Sequence, residues 1–130
     1  DEQERKRELF RCCQQRDDVR APVKRLFNRL KAMLEEDKSL IHLRAAGQGN
    51  IAADGFLPLH CAAQWGNIEV ISLLLSPHIH ANPWTVDLQG RTPLHLAAEW
   101  GRDDTARVLR EAMRESVYEE EETEEERKRE

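Results

Sequence analysis

Two copies of one phrase decide how this chain folds: GFLPLHCAAQWG from Gly55 to Gly66 and GRTPLHLAAEWG from Gly90 to Gly101. Aligned without gaps, they agree at Gly, Pro, Leu, His, Ala, Ala, Trp and Gly, and Pro58 lies 35 residues before Pro93. Self-similarity at such a period marks stacked supersecondary units, each too thin to bury its apolar face alone. In both copies an apolar stretch follows the closing glycine. Ile68 to Leu75 is almost wholly apolar, so that helix must be covered on two sides; the later one, begun by Asp103-Asp104, keeps Ala106, Leu109, Met113 and Val117 in step and is polar elsewhere.

Upstream, Leu9, Phe10 and Cys13 form the apolar stripe of a polar, helix-favouring segment. Asp17-Asp18 then offers an N-cap, and Val23, Leu26, Phe27, Leu30, Met33 and Leu34 recur at the spacing of one buried helical face, with Pro22 in the first turn. The expectation is a helical hairpin. Leu43 to Asn50 is expected to be an exposed, Gly-rich loop.

The run Thr92 to Ala98, TPLHLAA, followed by a glycine and a second helix, resembles the ankyrin repeat. The resemblance implies an all-α solenoid of helix-turn-helix units with finger loops and charged terminal helices. Three units are expected, at about residues 8–54, 55–89 and 90–118, with 119–130 a charged, acidic extension of the last helix. The first unit is degenerate: Phe10 takes the histidine position and Arg16 replaces the glycine, as befits a terminal repeat with one uncovered face. His78 stands where a C-capping glycine is usual, and Pro83-Trp84 lies in an insertion expected to lengthen the finger and give it an aromatic tip.

Composition bounds the function. The chain has 130 residues, 35% of them charged and 5% aromatic, which suits a thin helical array better than a deep globule. Residues 1–50 carry 12 Lys or Arg against 9 Asp or Glu, and residues 51–130 carry 8 against 16. The acidic surplus repels phosphate backbones, so nucleic acid is not the expected partner; the basic positions Arg20, Lys24, Arg25 and Arg29 read as a solvated helix face. The longest apolar run, Val70 to Leu75, is too short to span a bilayer. The chain starts Asp1-Glu2, as a processed or cropped piece would. Cys12, Cys13 and Cys61 are an odd count at small-residue positions and read as reduced thiols, which favours an intracellular compartment, cytoplasm or organelle interior.

No catalytic, cofactor or small-molecule site is expected. His60-Cys61 with His78 and His80 lacks zinc spacing, and Gly47-x-Gly49 is no phosphate loop. The resemblance gives His60 and His95, with Pro58 and Pro93, a structural role at the tight turn; Leu57 replaces the threonine of the motif in the second unit, which should loosen that turn. It also assigns partner contacts to the fingers and the concave helix ends. Carried over, that implicates Asp54, Phe56, Gln64 and Trp65 in the second unit, Leu88, Gln89, Arg91, Glu99 and Trp100 in the third, and Trp84 at the longer finger. Phe56 is expected to be exposed, and Trp65 and Trp100 to lie side by side as an aromatic patch. The function this supports is a non-catalytic module or scaffold binding a partner protein. The alternative is an accessory subunit of a large assembly, held by its charged terminal helices.

Overall fold

The computed structural model describes residues 2–14, 23–46, 53 and 55–128, with side chains described for 3–13, 27–46, 53 and 55–116. Among the described residues, six α-helices and one short 3-10 helix run α1 (Glu2–Gln14), α2 (Val23–Glu36), the 3-10 turn (Lys38–His42), α3 (Pro58–Trp65), α4 (Ile68–Leu75), α5 (Pro93–Glu99) and α6 (Asp103–Lys128). No strand occurs among the described residues. The first helices of successive units form one row, α1 against α3 against α5, and the second helices form another, α2 against α4 against α6. The fold is an all-α solenoid of stacked helix-turn-helix units.

The apolar stripes face inward as their spacing requires. Leu9, Phe10 and Cys13 of α1 and Leu30 and Leu34 of α2 are completely buried. In α4, Val70, Ile71 and Leu74 are buried between α2 and α6, while α6 buries Ala106, Leu109 and Met113 and leaves Arg107, Arg110 and Arg114 outside. The Asp17-Asp18 cap and Val117 fall outside the residues whose side chains are described. Cys12, Cys13 and Cys61 are buried thiols. Burial pushes Cys12 up to about 11 and raises Cys13 and Cys61 as well, so none has thiolate character at neutral pH.

Two expectations are corrected. Ahead of the loop expected at Leu43 to Asn50, Asp37 Oδ1 caps the 3-10 turn by accepting from Ser39 N at 3.0 Å, and Leu40 is buried; of that loop residues 43–46 are described, and they are not uniformly exposed. Ala45 is buried too, and its amide donates to Phe56 O at 2.7 Å while its carbonyl accepts from Gly55 N at 2.8 Å. A backbone pair therefore closes the base of the first finger. The second correction concerns the end of α4. His80, not His78, takes the left-handed conformation, with φ 61°. The chain runs on through Ser76 and Pro77 before reversing, and His80 N donates to Ser76 O at 2.7 Å and Ala81 N to Leu74 O at 2.8 Å.

Repeats are joined at both ends of the inner row. At the helix N-termini, His60 is wholly buried and its Nδ1 accepts from Leu57 N at 3.2 Å. That leaves the ring proton on Nε2, which donates across the unit boundary to Arg91 O at 3.0 Å. Leu57 is itself buried, so the missing threonine hydroxyl is replaced by packing rather than by an open turn. At the helix C-termini, Asn67 Nδ2 donates to Cys13 O at 3.4 Å, and Arg102, one period later, donates from Nε to Gln64 O at 3.1 Å. The same position thus ties each unit to the carbonyl end of the preceding inner helix.

His95 makes the local bonds of His60 without the bridge. Its Nδ1 accepts from Thr92 N at 3.1 Å, and the ring is exposed, with no further unit stacked beyond it among the described residues. Replacing His60 with Ala is expected to cost about 2–4 kcal/mol in urea unfolding followed by circular dichroism, whereas His95→Ala should cost under about 1 kcal/mol. Equal losses would show that the interunit bond contributes nothing.

Candidate protein-binding face

The face expected to meet a partner is built from the fingers and the C-terminal ends of α3 and α5. The second finger is closed by Asp87 and Arg91, whose backbones pair through Asp87 N and Arg91 O at 2.9 Å, with Gly90 N donating to Asp87 O at 3.1 Å. Gly90 has φ 77°, a conformation that costs a residue with a side chain. The Asp87 carboxylate is buried and fully engaged: Oδ1 accepts from Gln89 N and Arg91 N, each at 2.9 Å, and Oδ2 from Arg91 Nε at 3.0 Å. Burial alone would raise its pKa, but these donors outweigh that effect and hold it below the ordinary aspartate value.

Arg91 then reaches from the finger to the helix row. Its Nη1 donates to Glu99 Oε2 at 3.2 Å, and its guanidinium lies over the Phe56 ring, 5.8 Å from the centroid. Phe56 also stacks on His60, with centroids 5.6 Å apart and planes inclined by 26°. The expectation that Phe56 is exposed is therefore corrected: it is 2% exposed, because the next unit covers it. Arg91 occupies the equivalent place one unit later, has no following unit above it, and stays partly open.

The fingers are also coupled to each other. Arg44 Nη1 donates to Gly55 O at 2.8 Å and to Val86 O at 2.9 Å. Leu88 lies against Gly55 so closely that a Cβ there would sit 2.3 Å from Leu88 Cγ, yet the rest of Leu88 is 75% exposed. Neither Arg44 nor Arg102 stood out in the sequence, since each acts on backbone far along the chain and belongs to no motif.

The two tryptophans differ. Trp65 is half-buried and packs against the core, whereas Trp100 is 53% exposed at the last inner helix. The expected even patch is thus lopsided toward Trp100. Next to Trp65 in sequence, the Gln64 Oε1 is buried with no hydrogen-bond partner, an unmet acceptor in a half-buried residue. Gln89 and Glu99 are exposed, and Asp54 lies outside the described residues. Trp84 lies elsewhere, lining a groove with Leu75 at the end of α4 and Ala112 and Glu115 of α6. Val86, 43% exposed beside Leu88, was missed because a lone Val gives no sequence signal.

Chemistry is sparse here. Among the described residues no three His, Cys, Asp or Glu side chains are grouped to hold a metal ion, and no helix is long and apolar enough to cross a membrane. His78 and His80 are exposed while His60 and Cys61 are buried, so they do not converge. Of the basic positions on the first hairpin, Arg29 pairs with Glu8; the side chains of Arg20, Lys24 and Arg25 lie outside the described residues.

Comparison with known families agrees with the geometry. The family profile described as Ankyrin repeats (3 copies) matches residues 9–118. The chain belongs to the ankyrin-repeat family, whose members are generally protein–protein interaction modules. No curated protein and no solved structure matches the chain significantly.

The engaged carboxylate gives the finger a pH dependence. A folded-state pKa below the unfolded value, about 3.9 for Asp, means that stabilisation is complete above that value and is lost as pH falls through the folded one. Asp87→Asn is expected to cost about 1–3 kcal/mol at pH 7 and to remove this acid-induced loss, measured as urea midpoints at pH 7 and pH 3. A variant that tracks the wild type between those pH values would contradict the assignment.

Proposed function

We propose that the chain is a non-catalytic interaction module that binds a partner protein through the fingers and the exposed end of the inner helix row. The observation that carries this is the large apolar surface left open in the second finger and at the end of α5, where Trp100, Leu88 and Val86 are exposed. The Arg91–Glu99 pair is already fixed by Asp87, so its charge is preset rather than ordered on binding. Tryptophan and arginine are the residue types most enriched at binding hot spots. The buried, reduced thiols suit an intracellular setting.

A second reading, an accessory subunit anchored by its charged ends, is favoured by one feature: α6 has 26 residues where α4 has 8. One experiment separates the two. Proteins captured from native extract are quantified with the wild type, with Trp100→Ala, and with a chain lacking residues 119–130. Binding through the inner face predicts at least one captured protein reduced about 10- to 100-fold by Trp100→Ala, at unchanged helical circular dichroism, and kept by the truncated chain. The reverse pattern would favour anchoring through α6, and capture indifferent to both changes would sink both readings.

A further inference from the structure

The outer row carries a second surface, independent of the proposed inner-face binding. One period after Leu75, where α4 ends, α6 stands at Arg110, and it continues to Lys128. Past that point α6 has no outer helix beside it and instead overhangs the chain that leaves α4. A groove of about 740 Å³ lies between them. Leu75, Pro83 and Ala112 supply apolar wall, and Trp84 and Glu115 supply an aromatic ring and a carboxylate.

This groove is built, not incidental. His80 reverses the chain in the left-handed conformation, Pro83 is buried, and Asn82 Oδ1 accepts from Trp84 N at 2.9 Å. The turn therefore fixes Trp84 at the groove with 47% of its surface open. Among the described elements of the outer row, only α6 runs far enough to face it.

Charge names the occupant. No Lys or Arg lines the groove. From Glu115 to Glu126 the sequence of α6 holds 8 carboxylates and no basic residue. An aromatic face beside a carboxylate attracts a Lys or Arg head group, whose aliphatic stem can cover apolar wall. We infer that the groove between Trp84 and Glu115 seats a Lys or Arg side chain of an extended basic segment in a partner protein, with further basic residues of that segment running along α6. The volume accommodates a few side chains and not a helix, which is about 10–12 Å across.

The test uses the full chain and a fluorescein-labelled twelve-residue peptide of alternating Lys and Ser, followed by fluorescence anisotropy at about 150 mM salt. Trp84→Ala and Glu115→Lys are each expected to weaken binding at least about 10-fold, acetylation of every peptide lysine to do the same, and Trp100→Ala to leave it unchanged. If Trp84→Ala unfolds the protein, Glu115→Lys, on an exposed helix position, decides alone. Binding that ignores both groove variants would place the peptide on the acidic helix only and overturn the proposal. So would equal binding of the acetylated peptide, or a Trp84-dependent dimer in light scattering, which would make a second copy of the chain the occupant.

Discussion

Much of this structure depends on one buried imidazole. His60 accepts a hydrogen bond from the Leu57 amide of its own turn and donates one to the carbonyl of Arg91, and it can do both only as the neutral Nε2–H tautomer. Burial disfavours its charged form and lowers its pKa, which keeps it in the state that both bonds require. The bridge fixes more than spacing. The same Arg91 whose carbonyl is held lays its guanidinium over Phe56, and Phe56 stacks on His60, so backbone and side chains of adjacent units lock each other. A thin array has no deep core to impose register, and it must do so with such contacts at each boundary.

The end of the stack shows what the boundary contributes. Phe56 and Arg91, His60 and His95, and Trp65 and Trp100 are pairs one period apart, and in each the earlier member is more covered than the later one. Exposure thus follows position in the array as much as residue type. Arg91, Glu99 and Trp100 are open because no further described unit covers them, and of the three only Trp100 adds apolar surface.

What could be read from the sequence was what repeats. The twice-written phrase and the 3.6-residue stripes gave helices, units and inner row, because those follow from local pattern. The burial of Phe56 could not be read that way, since it depends on a neighbour 35 residues later at the same repeat position. Nor could the clamps of Arg44 and Arg102, which act on distant backbone carbonyls, or the true reversal at His80, displaced two residues from the family position by the inserted segment. Trp84 stood out as an aromatic in an insertion, but its direction depends on the Asn82 turn and on how far α6 overruns α4. The site was legible as a set of positions and not as a surface.

The account stands on the state of His60, and long-range ¹H–¹⁵N NMR of its ring reports that directly. Followed from pH 7.5 downward, His60 should remain the neutral Nε2–H tautomer below the ordinary histidine value of about 6.5, with stability declining from that value until the folded ring takes up its proton. An Nδ1–H tautomer, or titration at the ordinary value with the fold intact, would contradict the bridge between the two units.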